Sequence, residues 1–218
     1  MPYGVGLDLG QTQDYSALAV LEQSARPADR GGREAVYACR FLRRWPLGTP
    51  YPAIVDDVRA FLAAPSLAGS LLAVDATGVG RPVVDMFRVG QLTCPVLPVT
   101  ITGGSVVRPT ADGGWNVPKR DLVGVLRRLL QTRRLVVAQA LPDAAVLRRE
   151  LGDFRVRITA SAHETFGAEW RTGAHDDLVL AVALAAWLFE RGCPAGGTRL
   201  PDYRHRTLPR GRLPGTAH

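Results

Sequence analysis

Apolar side chains recur at every second position where the chain begins, at Val5, Leu7 and Leu9, while Gly4, Gly6, Asp8 and Gly10 take the alternate positions. That period of two predicts a half-buried strand whose other face carries one carboxylate among glycines. Residues 11–14 read as a turn, and 15–22 as a second strand in a hairpin with the first. Strand-forming residues return over 35–42 and complete an antiparallel meander. The period then changes. Ile54, Val55, Val58, Phe61 and Leu62 have helical spacing, which predicts a helix over 51–64 closed by Pro65. Residues 70–75 form a short continuous apolar run ending in Asp75, as for a strand buried on both faces.

A turn over 76–80, a short helix over 81–89 with Pro82 in its first turn, and a fifth strand over 94–100 follow. The Gly-rich stretch 102–118 reads as an excursion or hairpin over one edge. Beyond it the pattern predicts a helix over 119–132, a strand-like 135–138, a helix over 142–151, a late hairpin (154–159 and 165–170) and an apolar helix over 178–191. The expected fold is α/β: a mixed five-stranded sheet, three antiparallel strands and then parallel ones, flanked by helices. Residues 1–190 make one domain. Residues 191–218, rich in Pro, Gly and Arg, read as a disordered basic tail.

At 46% apolar, 218 residues suffice for one full core. The longest apolar run, 178–189, is too short to span a bilayer, and no signal-like segment opens the chain. The three cysteines are far apart and suggest neither a disulfide framework nor a zinc site, so the expected location is a reducing cytoplasm. Five of the seven net positive charges lie beyond residue 190, which places most of the attraction for phosphates in the tail.

The chemistry concentrates in four aspartates. Asp8 ends the first strand, Asp75 ends the fourth, and Asp176 and Asp177 open the last helix. The predicted topology brings the two strand ends together and lays the helix start across them. Converging carboxylates cannot all stay ionised without cations, so the cluster calls for oxygen-preferring divalent metal, Mg²⁺ or Mn²⁺. Two such ions, roughly 3.5–4 Å apart, clamp the attacking water and leaving oxygen of a phosphodiester. The small residues around Asp8 are expected to leave room for metal, phosphate or nucleic-acid backbone.

Three segments carry a resemblance: Gly6-Leu-Asp-Leu-Gly10 with Asp14-Tyr-Ser-Ala-Leu18, then 72–80 (Leu-Ala-Val-Asp-Ala-Thr-Gly-Val-Gly), then 175–183 (His-Asp-Asp-Leu-Val-Leu-Ala-Val-Ala). Over residues 3–190 the chain resembles the C-terminal nuclease domain of phage large terminase subunits, within the RNase H-like and RuvC-like superfamily. The resemblance implies an endonuclease that cuts double-stranded DNA with two Mg²⁺ or Mn²⁺ ions during viral genome packaging. Asp8 and Asp75 would be metal ligands on strands, and Asp177 or Asp176 the ligand from the closing helix. It further implies a bacterial host cytoplasm and, as partners, double-stranded DNA with a packaging ATPase, a portal or a small terminase subunit. Whole large subunits carry an ATPase motor ahead of this domain. No Gly-x-x-x-x-Gly-Lys-Ser/Thr loop is present here, so the expectation is an excised domain, a split subunit or a stand-alone nuclease.

Lys119, the single lysine, with Arg120, Arg127, Arg128 and His175, are candidate DNA contacts, against the plainer reading of solvated or helix-entry residues. Asp14 is a candidate carboxylate behind the metal ligands, or simply a turn former. Trp115 stacks on a base or anchors its own hairpin. Three other readings stand beside the nuclease: a Holliday junction resolvase or transposase-like relative of the same fold, a non-catalytic packaging docking module, and an actin-like ATPase. The last needs two such domains and further phosphate loops than this chain supplies.

Overall fold

The computed structural model describes residues 3–10, 14–28, 31–78, 80–90, 92–153 and 176–190. The predicted late hairpin, His175 and the tail beyond residue 190 lie outside the described residues.

The meander is present as β1 (Tyr3–Asp8), β2 (Ala17–Pro27) and β3 (Arg33–Arg44), each antiparallel to the one before. Helix α1 (Tyr51–Leu62) carries the chain to β4 (Leu71–Asp75), which pairs parallel with β1. Helix α2 (Gly80–Val89) leads to β5 (Val96–Thr102), parallel to β4. The Gly-rich excursion is itself a hairpin, β6 (Arg108–Pro109) with β7 (Trp115–Pro118), and β7 extends the sheet parallel to β5. After α3 (Lys119–Gln131), β8 (Leu135–Val137) pairs parallel with β3; α4 (Ala144–Asp153) and α5 (Asp177–Glu190) complete the described elements. The order is β6-β7-β5-β4-β1-β2-β3-β8. The expected five strands are thus its middle, and three short strands extend it at the edges, where brief strands with Pro109 and Pro118 limit further pairing.

The sheet separates two cores. On one side Val5, Leu7, Leu18, Val20, Leu72 and Val74 pack beneath α1 and α2. On the other, Ala17, Ala19, Leu71 and Ala73 face α3, α4 and α5. Helix α5 is apolar around its whole circumference and buried from Asp177 to Leu188, as a central helix must be.

The glycine face of β1 is not open space. All six β1 residues are buried. A Cβ on Gly6 would lie 2.0 Å from the Ala181 carbonyl oxygen, and one on Gly4 would lie 2.8 Å from the Phe189 ring. The expected half-buried strand, with room kept for a ligand beside the glycines, is therefore corrected: that room is filled by the α5 backbone. A side chain on either residue would force the helix off the sheet. The outcome is a register. Two strand residues rise about 6.6 Å and four helical residues about 6 Å, so α5 runs against β1 with Ala185 near Gly4, Ala181 near Gly6 and Asp177 toward Asp8.

Candidate active site

β1 is the point from which the sheet grows in both directions, to β2 on one side and to β4 on the other. The crevice outside the strand ends at such a switch point is a favoured place for a site in open α/β sheets. The last parallel pair, Leu7 with Val74, is followed on its two strands by Asp8 and Asp75, which stand side by side. The Asp75 carboxylate also accepts from Thr77 N at 2.8 Å, while Thr77 Oγ1 accepts from Ile101 N at 2.8 Å, tying the turn after β4 to β5. On the far side of β1, Asp8 pairs with Ala17 and Ala17 with Arg44. One transverse line of the sheet therefore reads Asp75, Asp8, Ala17, Arg44, all on the face that α5 covers.

The start of α5 closes this line. Asp8, Asp75 and Asp177 are only 5%, 8% and 4% exposed. Burial, then the charges of Asp75, Asp177 and Asp176, hold the Asp8 carboxyl well above the usual range. Burial first, then Glu150, Asp176 and Asp14, raise Asp177 to about 7, with Arg44 opposing. Asp176 takes Lys119 Nζ at 2.9 Å, while Asp177 is buried at the first position of α5.

The remaining candidates divide. Lys119 is buried, at the start of α3, and its ammonium lies against Asp176. Arg120 is exposed and donates to Ser105 O at 2.8 Å. Arg127 and Arg128 are exposed on α3, and Arg128 pairs with Glu190 at 2.7 Å, at the opposite end of α5 from the aspartates. Trp115 is core: it is buried and meets Trp187 edge-on at 6.4 Å, so it is not a platform for a base.

Two residues escaped the sequence reading. Arg44 stacks over the Tyr15 ring at 4.0 Å and lies 3.6 Å from Glu150. Its signal was the strand register, which counting along both hairpins could have supplied. Glu150, on α4, accepts from Leu178 N at 2.9 Å and Val179 N at 3.2 Å. Its signal was an acid three residues after Leu147 on an apolar stripe. Burial is the main cause that raises its carboxyl to about 7, against the pull of those two N–H groups and Arg44.

In donor type and charge, the cluster suits an oxygen-preferring divalent cation: several buried carboxylates with the nearby ammonium committed to one of them. Among the described residues no three acidic, His or Cys side chains stand at metal-enclosing distances, so the donors converge without forming a closed cage. A groove of about 570 Å³ between α1 and α2, lined in part by Pro52, Arg59, Pro82 and Val89, belongs to the other layer and holds none of these residues.

The sequence matches no established family profile and no curated protein. The fold matches solved structures. The large terminase nuclease from thermophilic phage G20c, with bound magnesium, superposes with a TM-score of 0.54 at 23% identity over 85% of this chain and 80% of that one. The same nuclease with bound zinc gives 0.50 at 21% identity, over 84% and 79%. The human cytomegalovirus terminase nuclease domain, soaked with Mn, gives 0.48 at 14% identity, over 86% and 84%. The chain has the RNase H-like fold of terminase nucleases. Among the described residues, no helix is long and apolar enough to cross a membrane.

Proposed function

We propose that the chain is a metal-dependent endonuclease that cuts double-stranded DNA during viral genome packaging. The observation that carries this is the descent of α5 onto the glycine face of β1, which brings Asp177 to the strand ends bearing Asp8 and Asp75. Asp8, Asp75 and Asp177 would hold Mg²⁺ or Mn²⁺, two ions by likeness to two-metal nucleases. Bound there, the metal would supply an activated water and neutralise charge on the scissile phosphate.

The chain's own residues do the rest. Asp8 and Asp75 are set by the sheet register and Asp177 by the helix, so the donors are pre-positioned on rigid elements. Asp176 is held back by Lys119 and would act as that ammonium's counter-ion, not as a principal ligand. Arg44, on the same line of the sheet about 10 Å from Asp8 by strand spacing, would face a phosphate neighbouring the one that is cut. Contacts of this kind go to the backbone and carry no base readout, so sequence preference should be weak. The nuclease structures with magnesium and zinc support the divalent-metal reading.

Digestion of supercoiled plasmid in Mn²⁺, Mg²⁺ or EDTA, comparing the native chain with Asp8→Asn and Asp177→Asn, tests the proposal. Metal-dependent cutting should fall at least about 100-fold in either variant, the scale expected when a transition-state stabilising group is removed. Cutting that persists in EDTA, or in both variants, would sink it.

A further inference from the structure

The start of α5 is capped from elsewhere in the chain. The first N–H groups of a helix need acceptors, and a local Asp normally supplies one. Here the Leu178 and Val179 N–H groups both go to Glu150 Oε2, across 28 and 29 residues of sequence. Glu150 is buried, and its Oε1 accepts no hydrogen bond from the described residues and lies 3.6 Å from Arg44 Nη1. The Asp176 backbone carbonyl takes the Leu180 N–H at 2.9 Å, while its side chain goes to Lys119. The Leu178 and Val179 donors are thus satisfied from α4.

We propose that Glu150 is a positioning residue of the metal centre: by accepting the Leu178 and Val179 N–H groups from α4 it fixes where the start of α5, and with it Asp177, stands beside the strand-end aspartates. The inference rests on the nuclease reading above. Glu150 touches neither the metal nor DNA in this role, and acts through the helix terminus. Arg44 balances its charge from the sheet side, so α4, α5 and β3 are joined at one buried carboxylate. An uncapped, buried helix end leaves N–H groups unsatisfied, and the chain would relieve that by turning Asp177 or Asp176 back onto them.

The test uses the full chain and Mn²⁺ as the probe, with free Mn²⁺ read by electron paramagnetic resonance and plasmid cutting read alongside. Glu150→Ala should weaken Mn²⁺ binding by about 10-fold or more, the usual effect of removing an outer partner of a metal ligand. Hydrogen exchange at the Leu178 and Val179 amides of the metal-free protein should quicken in the same variant. Glu150→Gln keeps a carbonyl oxygen able to accept both N–H groups, so it should stay within about threefold of the native affinity and keep the amides protected.

Leu62→Ala, in the core on the other side of the sheet, separates positioning from general loosening: it should lower the melting temperature at least as much as Glu150→Ala and leave Mn²⁺ affinity unchanged. Native affinity in Glu150→Ala, equal losses in Leu62→Ala, or a Gln variant no better than Ala would each overturn the proposal. If the native chain itself neither binds Mn²⁺ nor cuts, the nuclease reading fails and this inference with it. That failure shows in the native protein alone, whereas failure of the positioning role shows only as a variant that behaves like it.

Discussion

A Cβ at Gly6 would sit 2.0 Å from the Ala181 carbonyl oxygen, while one at Gly124, mid-helix on the exposed side of α3, would meet nothing within 4 Å. The same substitution therefore has opposite signs at the two sites. Gly6→Ala must push α5 from β1 and should cost about 3 kcal/mol; Gly124→Ala removes unfolded-state freedom and should gain about 0.5–1 kcal/mol. Urea midpoints check both, and a Gly6→Ala protein as stable as native would mean that α5 does not pack there. The glycines were legible in the sequence but their purpose was not: alternation marks a face without saying whether a ligand or a helix backbone fills it.

The acids carry a second prediction. Asp177 and Glu150 each titrate near 7 in the fold, raised chiefly by burial, and near 4 in an unfolded chain. Between those values the folded state binds more protons than the unfolded one, so metal-free stability should fall from about pH 4 to 7 and then level off. Asp8, raised for the same reason, acts in the same direction. Glu190 is the opposite case, since its lowered carboxyl loses stability only as pH falls below the ordinary Glu value. Melting temperatures in EDTA should therefore decline from pH 5 through 6 to 7 and flatten toward pH 8, and Mn²⁺ should reduce the decline by holding the carboxylates ionised. A rise with pH in EDTA would contradict the burial of these groups.

Helix α5 is the element on which fold and site meet, and its two ends are pinned differently. At its N-terminal end, Glu150 supplies a negative acceptor where the helix dipole favours one. The C-terminal end carries Glu190, which the dipole disfavours, and three donors hold it: Tyr37 Oη at 2.6 Å, Arg128 at 2.7 Å and Arg134 Nη2 at 2.5 Å. Burial pushes the Glu190 carboxyl up, and these hydrogen bonds bring it below its usual value. Arg134 also donates to Ala35 O at 2.6 Å and is only 15% exposed at its side chain. Arg134→Ala should thus cost about 2 kcal/mol, because it removes a charge-assisted hydrogen bond from a largely buried carboxylate that keeps Tyr37 and Arg128. Arg40→Ala, which breaks an exposed pair with Glu22, should cost less than about 1 kcal/mol. Denaturant titration of the two variants decides whether α5 is anchored at that end. The helix itself was plain in the sequence as an unbroken apolar run behind two aspartates. Its anchors were not, because Glu150 and Arg134 reach it from 28 and 56 residues away, and no local spacing encodes such partners.

Over the whole molecule, the meander, the crossovers and the adjacency of the strand ends bearing Asp8 and Asp75 followed from alternation, apolar runs and chain order. The β6–β7 hairpin as a sheet extension did not, since two- and four-residue strands leave almost no periodic signal. Charge sets what the molecule can do with DNA as a whole. Many arginines of the described body are committed to carboxylates, among them Arg26 to Glu34, Arg43 to Asp57 and Arg81 to Asp112, while five of the seven net positive charges lie beyond residue 190. If the chain is a nuclease, that distribution splits binding from cutting. Replacing the six arginines beyond residue 190 with glutamine in the full chain should make log Kd for double-stranded DNA less steep in log salt by up to about five units, at roughly 0.9 per phosphate contact. The rate of cutting at saturating DNA should stay near native, because the carboxylates are unchanged. Fluorescence anisotropy across a salt series, with single-turnover cutting beside it, reads both. An unchanged salt slope would place the DNA-holding charge on the body after all, with Arg44, Arg120 and Arg127 the first positions to replace.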